Sequence, residues 1–300
     1  MGRGPGVNAA DPPSEPDRAP AGSEAGAGDP TLIVTGAAHG LGAAISSAAV
    51  ASGWRVGVLD RNGEAAEALA ESVGEGSVAL EADTSDEGSV ERALDRFAEA
   101  TGSAAPDGVV CNAGIVRFGP LLELTVEDWR AVADVNLTGT FISARAVARR
   151  AVAAGRPASI VTVTSMNGVQ PGPNAGAYGA TKAGAARLTQ QMALEWGSLG
   201  IRANAVAPGL IDAGMSEPIY ADPEIRQRRS ERVPLGRLGT GAEVASAVLF
   251  LLSREAAYVN GVELLVDGGV TMSVIATLPR PHAVDSVGAD DGAHPGPVPG

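Results

Sequence analysis

The sequence predicts a single α/β domain built on a doubly wound, parallel, seven-stranded sheet. Short apolar runs rich in β-branched residues recur along the chain, and each is followed by a longer stretch typical of a helix. Strands that alternate with helices pair in parallel through crossover connections. The 300 residues, 45% apolar and 19% charged, supply one large core but little for a second.

Seven apolar runs are predicted as strands and two long stretches as helices. The strands are Thr31–Thr35, Arg55–Asp60, Ser77–Glu81, Gly108–Cys111, Ser159–Thr164, Ile201–Val206 and Val262–Val266. Thr125-Val-Glu-Asp128 is a capping-box signal that opens a helix toward Arg150, and residues 176–199 indicate another. Ligands of open parallel sheets bind beyond the carboxyl ends of the strands, so the residues after each run are candidates for a site.

The two ends of the chain differ from its body. Residues 1–29 and 278–300 are rich in Pro, Gly and Ala, a composition that buries too little apolar surface to offset the entropy of ordering. We therefore predict two disordered tails around one folded domain of residues 30–277.

Composition also limits the classes of function. The chain has one cysteine, Cys111, and two of its three histidines, His282 and His294, lie in the C-terminal tail. This argues against a zinc dehydrogenase or a histidine-based hydrolase, and no metal site is predicted. The net charge of −13 disfavours nucleic acid and anionic membranes as partners. No apolar run reaches the roughly 18 residues of a membrane span, and no secretion signal is visible, so a cytoplasmic location is predicted.

A glycine-rich turn follows the first strand and precedes a helix. It contains Gly36, Gly40 and Gly42, with His39 and Leu41 between them. Such glycines let the backbone approach a pyrophosphate, whose charge faces the free N–H groups and positive end of the helix. A glycine-rich turn can also be purely structural, but its place between strand and helix favours a dinucleotide site.

Asp60 ends the second strand, 18 residues after Gly42. A carboxylate there can accept hydrogen bonds from the adenosine ribose and would repel a 2′-phosphate, which predicts NAD rather than NADP. Arg61 and His39 leave the alternative open, because either cation can assist in binding a 2′-phosphate.

These features resemble the classical short-chain dehydrogenase/reductase (SDR) family. Thr35-Gly-x-x-x-Gly-x-Gly42 is similar to its cofactor fingerprint, and its other motifs follow in order over about residues 31 to 270. They are Asp83-Thr84, Asn112-Ala113-Gly114, Asn136, Ser165, Tyr178 with Lys182, Pro208-Gly209 and Val266-Asp-Gly-Gly269. The resemblance implies a Rossmann-fold enzyme that moves a hydride between a nicotinamide and a secondary alcohol or ketone. It further implies cofactor contacts at Asp83, Thr84, Asn112 and Ile211.

Tyr178 and Lys182 are four residues apart in a predicted helix and share one face. The pair is common on ordinary helices, but here it follows Ser165 at the end of the fifth strand. A phenol with a pKa of about 10 needs a field that lowers it by some 2 to 3 units to act as a base, and Lys182 and the nicotinamide ring would supply it. The resemblance implies that Tyr178 exchanges the proton and Ser165 holds the substrate oxygen. Lys182 would also hold the nicotinamide ribose, and Asn136 would anchor a relay water.

The sequence departs from the family pattern at two positions. After Pro208-Gly209 the family usually has Ile-x-Thr, whereas this chain has Ile211-Asp212-Ala213, so one side-chain hydrogen bond to the nicotinamide is expected to be missing. Cys111 stands where the family commonly has Asn, and a small buried thiol is expected to serve packing.

The segment from Leu210 to Val233 is expected to set substrate specificity. Its arginines, Arg226, Arg228, Arg229 and Arg232, are interpreted as a solvated helix face rather than an anion site. A small alcohol, sugar or hydroxy acid is the predicted substrate. One alternative is an NADPH-dependent 3-oxoacyl thioester (acyl-carrier-protein) reductase, which Asp60 and the uncharged Leu199 disfavour. The other is a catalytically idle NAD sensor, which would not need all four catalytic residues.

The long helices also predict a homo-oligomer, a tetramer or a dimer. Residues 126–150 and 176–199 are Ala-rich, as expected if they pack closely against symmetry mates. The resemblance implies pairing through the same helices. The alternative is that their alanines merely reflect an Ala-rich chain.

Overall fold

The computed structural model describes residues 29–273. The predicted disordered tails, residues 1–29 and 278–300, lie outside this range except for Asp29. They therefore stay predictions, as does the domain boundary at residue 277.

The sheet has seven parallel strands, as predicted, in the order β3-β2-β1-β4-β5-β6-β7. The strands are β1 (Thr31–Thr35), β2 (Arg55–Asp60), β3 (Ser77–Glu81), β4 (Gly108–Cys111), β5 (Ala158–Val163), β6 (Ile201–Pro208) and β7 (Glu263–Val266). Their bounds agree with the predicted runs to within two residues. Successive strands are added in one direction from β1 to β3 and in the other from β4 to β7. Open sheets of this kind form a ligand crevice where the order switches, here between β1 and β4.

Ten α-helices surround the sheet in the described part of the chain. They are α1 (Gly40–Ala51), α2 (Gly63–Val73), α3 (Glu87–Thr101), α4 (Val126–Ala133), α5 (Gly139–Ala153), α6 (Met166–Val169), α7 (Ala177–Trp196), α8 (Glu217–Tyr220), α9 (Pro223–Ser230) and α10 (Gly241–Leu252). Within residues 29–273, no helix has the length and apolar character needed to cross a membrane.

The core has two layers because helices cover both faces of the sheet. Against one face α3, α5 and α7 pack side chains such as Phe97 and Met192. Against the other face α1, α2 and α10 pack side chains such as Ile45 and Leu251. All five residues of β1 are buried, because helices cover this strand on both faces.

The predicted helix from Thr125 toward Arg150 is interrupted. Thr125 caps α4, since its hydroxyl accepts a hydrogen bond from Asp128 N at 3.0 Å. The Asp128 carboxylate accepts from that hydroxyl at 3.0 Å, so the return bond to the Thr125 N–H that completes a capping box is replaced by a side-chain contact. Between α4 and α5 the chain makes a π turn over Asp134–Thr138, a wider turn often found at functional sites.

Candidate active site

A cavity of about 670 Å³ lies at the carboxyl ends of the strands and gathers nearly all of the predicted site residues. Those that line it are Gly36, His39, Gly40, Leu41, Asp60, Asp83, Thr84, Asn112, Ser165, Tyr178, Lys182 and Ile211. Gly42 and Asn136 are not among its lining residues. The catalytic and cofactor candidates therefore share one site, and Gly42 and Asn136 lie outside the set of side chains and backbone that lines it.

The glycine turn requires glycine for both conformation and space. Gly36 and Gly40 have φ values of +59° and +54°, which L side chains rarely adopt. A Cβ on Gly36 would lie 2.7 Å from the Ala113 Cα, and one on Gly42 would lie 2.1 Å from the Gly36 carbonyl oxygen. Gly42 thus allows the backbone of the turn to pack closely against Gly36, while Gly36, Gly40 and Leu41 line the cavity.

Asn112 and Thr35 hold this turn in place. The Asn112 side-chain amide donates to the carbonyls of Thr35 and Gly36 at 3.0 and 2.9 Å. In return the Thr35 hydroxyl accepts from the backbone N–H groups of Asn112 and Ala113 at 3.0 and 3.1 Å. The end of β4 is therefore tied to the turn after β1, and the Asn112 amide positions backbone that lines the cavity.

Asp60 lies at the end of β2 with its carboxylate against the glycine turn. One oxygen accepts from Ala38 N at 3.1 Å and the other from Asn62 N at 3.0 Å. A carboxylate has further acceptor positions on both oxygens, which suits ribose hydroxyls. Arg61 lines the same part of the cavity, so a cation stands next to this carboxylate.

Asp83 and Thr84 follow β3 at the same end of the cavity. Hydrogen bonds from the Ser85 hydroxyl and N–H, at 2.6 and 2.9 Å, hold the pKa of Asp83 below its usual value, and the nearby Arg61 adds to the effect. Asp83 is therefore ionised near neutral pH. Thr84 is buried against Gly139 at the start of α5.

The catalytic candidates come from β5 and α7. Ser165 caps α6, since its hydroxyl accepts from Asn167 N at 3.1 Å. Tyr178 and Lys182 lie one turn apart on α7, with the Lys182 Nζ 5.6 Å from the centre of the Tyr178 ring. Lys182 Nζ also donates to the Val163 carbonyl at 2.7 Å. The helix and the strand end thus bring the three side chains together.

The pKa of Tyr178 is raised above its usual value, chiefly because the phenol is buried, while hydrogen bonding with Ser165 lowers it in part. The expectation that Lys182 lowers this pKa is not met by the protein alone. Lys182 is itself buried, and burial lowers its pKa to about 8, with the nearby Cys111 acting in the opposite direction. With a pKa of about 8, Lys182 loses its charge before a phenol of raised pKa ionises, so it gives the phenolate little support in the protein alone.

Cys111 behaves as a packing residue. Burial raises the pKa of its thiol to about 12, against a smaller lowering effect of Lys182, so the thiol is neutral. Its sulfur lies 3.7 Å from the Thr140 carbonyl oxygen, in the core between β4 and α5. This placement agrees with the expected structural role.

Asn136 lies in the π turn and is fully buried. Its side-chain oxygen accepts from Ile115 N at 2.8 Å, and its amide donates to the Ile115 carbonyl at 2.9 Å and the Thr181 hydroxyl at 3.2 Å. The side chain therefore fixes the segment after β4 to α7, next to Lys182. Its predicted role as a water anchor stays a prediction.

Ile211 presents backbone groups at the end of the segment after β6. It forms a parallel bridge with Gly239, in which Gly239 N donates to the Leu210 carbonyl and Asp212 N donates to the Gly239 carbonyl, both at 2.9 Å. The N–H and carbonyl of Ile211 itself therefore point away from Gly239. Ile211 lines the cavity, so its backbone N–H and carbonyl can hydrogen-bond to a ligand. Ala213, which stands where the family usually has Thr, has no hydroxyl to do so.

A cover formed by residues 212–230 closes this end of the cavity. Gly214, with φ of +58°, lies against Gly40, since a Cβ on Gly40 would be 2.6 Å from the Gly214 Cα. Arg226 of α9 forms an ion pair with Asp212. Arg229 lines the cavity, unlike the other arginines of this segment, and the sequence analysis missed it. With four arginines so close together, nothing in the sequence distinguished Arg229 from the arginines of a solvent-exposed helix face.

Comparisons with known proteins identify the family of the chain. A family model described as enoyl-(acyl carrier protein) reductase matches residues 36–271. The chain is 38% identical over 231 residues to an inactive 2-(S)-hydroxypropyl-CoM dehydrogenase of Xanthobacter autotrophicus, covering 76% of this chain and 99% of the relative. It is 40% identical over 243 residues to a cis-4-hydroxycyclohexanecarboxylate dehydrogenase of Sinomonas cyclohexanicum, covering 80% and 95%.

A solved structure gives the same result for the fold. It is assigned as a 2-deoxy-D-gluconate 3-dehydrogenase from Agrobacterium tumefaciens with bound NADP. It superposes with a TM-score of 0.72 at 36% identity, covering 82% of this chain and 97% of that one. The chain therefore belongs to the short-chain dehydrogenase/reductase family, and it is an NAD(P)-binding oxidoreductase that acts on CH–OH groups.

Proposed function

We propose that the protein is an NAD-dependent dehydrogenase that interconverts a small secondary alcohol and its ketone, with Tyr178 as the acid/base. The observation that carries this proposal is the convergence of Ser165, Tyr178 and Lys182 on the same cavity as the glycine turn. A sensor of the nucleotide would have no use for this second group of side chains.

The residues present fit a dinucleotide. The glycine turn leaves room for a pyrophosphate next to the N-terminus of α1, and Asp60 has free acceptor positions for a ribose. Asp83, Thr84, Asn112 and the backbone of Ile211 complete the proposed binding set, with Tyr178 and Lys182 at the nicotinamide ribose. NAD, when bound, supplies the ring that exchanges the hydride.

The proposed chemistry is proton transfer at the Tyr178 hydroxyl. Ser165 holds the substrate oxygen, and in alcohol oxidation the phenolate takes the hydroxyl proton; in ketone reduction the phenol donates it. Burial keeps the pKa of Tyr178 high, which favours the neutral, proton-donating form in the protein alone. A cationic nicotinamide ring would lower that pKa and so favour oxidation when NAD⁺ is bound.

NAD is proposed over NADP because the Asp60 carboxylate occupies the end of β2. Its two backbone hydrogen bonds fix it against the glycine turn, where a 2′-phosphate would meet a negative charge. Arg61 and the NADP bound by the Agrobacterium protein support the opposite choice.

The substrate class follows from the relatives and the cavity. Relatives are named for D-threitol, galactitol and cis-4-hydroxycyclohexanecarboxylate, all compact polar alcohols. The cavity of about 670 Å³ must hold a dinucleotide as well as the substrate, which favours a compact substrate. These names do not favour the acyl-carrier-protein alternative.

A second candidate is a protein that binds the nucleotide without turnover. One relative carries the word inactive in its name, so loss of activity does occur among similar chains. Against it stands the complete set of Asn136, Ser165, Tyr178 and Lys182.

The test is an NADH absorbance screen with a panel of polyols, sugars and hydroxy acids. We expect oxidation of at least one secondary alcohol and a higher kcat/KM with NAD than with NADP. Asp60→Ala should narrow that gap, since it removes the charge that repels a 2′-phosphate. A wild-type preference for NADP would show that Arg61 and His39 dominate. NADH binding with no turnover on the whole panel would favour the second candidate.

A homo-oligomer, dimer or tetramer, is proposed as the working form, in the cytoplasm. Large apolar side chains stay exposed along α4, α5 and α7, among them Val126, Trp129, Phe141, Val152 and Leu194. Such a surface is unusual on a monomer and is expected where copies pack. Light scattering after size exclusion tests it: a fully active species near the 29.9 kDa of one chain at micromolar concentration would overturn the proposal.

A further inference from the structure

We propose that Arg229 binds a carboxylate of the substrate, so that the enzyme acts on a hydroxy acid rather than on a neutral polyol. This inference deepens the proposed function, on which it rests. It assigns to one arginine of α9 a role that the other arginines of the same helix do not share.

The first step is the docking of α9. Asp222 caps the helix, accepting from Glu224 N and Ile225 N at 2.8 and 3.3 Å. Arg226 pairs with Asp212, which directly follows the nicotinamide-side residue Ile211. Residues three apart on a helix lie on the same face, so Arg229 lies one turn from the contact that joins α9 to the end of β6. The helix is thereby held with this face toward the catalytic end of the cavity.

The second step concerns the partners of the α9 arginines. Arg226 and Arg228 are exposed, and each has a carboxylate partner, Asp212 and Glu224 respectively. Arg229 is half-buried and lines the cavity, and among residues 29–273 no carboxylate lies within ion-pair distance of it. An arginine that is withdrawn from solvent next to a cavity is a ready site for an anion.

The third step is the orientation of the guanidinium. Its carbon lies 5.7 Å from the centre of the Tyr220 ring, and Tyr220 is itself buried and lines the cavity. Stacking on an aromatic face holds the planar guanidinium in place while its N–H groups stay available. A fixed guanidinium suits a carboxylate, which can accept two parallel hydrogen bonds from it.

The fourth step separates the substrate from the cofactor. The acidic residues Asp60 and Asp83 line the cavity at the ends of β2 and β3, whereas Asp212 anchors α9 at the end of β6. β6 is four strands away from β2 in the sheet, close to 20 Å at the usual strand spacing. The apolar Met215 and Ile219 line the cavity near Tyr220. This end therefore fits a hydroxy acid with an apolar spacer between its carbinol and its carboxylate.

The test compares matched pairs of substrates. Wild-type enzyme is assayed with secondary hydroxy acids, such as 3-hydroxybutyrate, 4-hydroxypentanoate and 4-hydroxycyclohexanecarboxylate, and with the carboxamide of each. We expect kcat/KM to favour the best carboxylate over its carboxamide by on the order of 10- to 100-fold. Arg229→Gln should remove that preference through KM of the acid, with KM of NAD unchanged. Arg228→Gln, which breaks an exposed pair on the same helix, is the matched control and should keep the preference.

Two results would overturn the proposal: equal kcat/KM for each acid and its carboxamide, or an Arg229→Gln variant that raises KM of NAD instead of KM of the acid. The second would place the guanidinium at the cofactor pyrophosphate. If no alcohol is oxidised, the proposed function fails, and the same pairs are compared by thermal shift of the NADH complex. Arg229 as the anion site then predicts a shift with carboxylates that Arg229→Gln abolishes, and equal shifts with carboxamides would refute it.

Discussion

The cofactor end and the substrate end of the cavity are built in different ways. The glycine turn at the cofactor end is held by the Asn112 amide, which donates to the Thr35 and Gly36 carbonyls, and by the Thr35 hydroxyl, which accepts from Asn112 N. The turn rests on a fully buried strand. The cover over the substrate end, residues 212–230, consists of short helices whose side chains are mostly exposed, and an ion pair at Arg226 joins α9 to the end of β6.

This difference reflects what each end must recognise. A dinucleotide is invariant, so a rigid backbone turn on the sheet serves it well. A substrate varies between relatives, and a segment with few buried contacts can change in sequence and open at little cost in stability. Changes at the cofactor end should therefore affect folding and cofactor binding together, whereas changes at the substrate end should affect the kinetics with the substrate and leave folding unchanged.

The largest expected effect separates chemistry from binding. Tyr178→Phe removes the hydroxyl that exchanges the proton and leaves the ring in place, so kcat should fall by about 10² to 10⁴-fold. The Kd of NADH, measured by fluorescence titration, should stay within a factor of about two. Turnover within tenfold of wild type would show that another group transfers the proton.

The next effect tests the rigid end. Gly42→Ala would place a Cβ 2.1 Å from the Gly36 carbonyl oxygen, a clash that backbone must relieve. Overpacking of this kind costs about 1 to 3 kcal/mol, and we expect urea unfolding to show it together with weaker NADH binding. The control is Gly88→Ala in α3, where a Cβ meets the flexible end of Arg92 at 3.2 Å. Wild-type stability and NADH affinity in Gly42→Ala would refute the close packing of the turn.

A smaller effect concerns pH. Burial lowers the pKa of Lys182 to about 8, so above pH 8 the unfolded chain binds more protons than the folded one, and stability rises with pH. Above pH 9 the buried Cys111, whose pKa is raised to about 12, acts in the opposite direction. Between pH 8 and 9 the unfolding free energy of the cofactor-free wild type should therefore gain about 1 kcal/mol relative to Lys182→Met. Parallel curves for the two proteins would mean that Lys182 titrates normally.

The smallest effect tests the cover. Asp212→Asn removes the ionic partner of Arg226. Because Arg226 is exposed to solvent, the pair is worth little, and we expect KM of the alcohol to rise by no more than about threefold. The urea midpoint should not move. Arg228→Gln serves as the control for loss of a charge on α9. A lowered midpoint would show that the cover contributes to folding and would weaken the contrast between the two ends.

The sheet was predictable because its strands are buried on both faces. The centres of runs such as Thr31–Thr35 and Arg55–Asp60 are uncharged, apolar and buried, and the helices between the runs fix the parallel order. The site residues predicted after those runs, among them Gly36, Asp60, Ser165 and Lys182, likewise line one cavity. Where the functional residues follow the ends of parallel strands, their position in the sequence is enough to predict that they share a site.

Other features depend on contacts that no local pattern encodes. The π turn at Asp134–Thr138 sits inside a stretch that reads as ordinary helix, and the Asn136 side chain is engaged with Ile115, far along the chain. The pKa of Tyr178 depends on burial, which the spacing to Lys182 cannot report. Arg229 lines the cavity and Arg228 does not, and this difference depends on how α9 is oriented by the ion pair between Arg226 and Asp212.

The contact between Gly40 and Gly214 limits how this enzyme can change by mutation. Each glycine has a positive φ, and a Cβ added to either would lie within 3.1 Å of the α-carbon of the other. Since both partners already have the smallest side chain, neither substitution can be compensated at the other position. The exposed positions of the cover can change with less constraint, but an insertion or deletion before residue 214 would move another residue against the turn. New substrate specificities should therefore arise in this lineage downstream of Gly214, with the length of the segment from Gly209 to Gly214 kept constant.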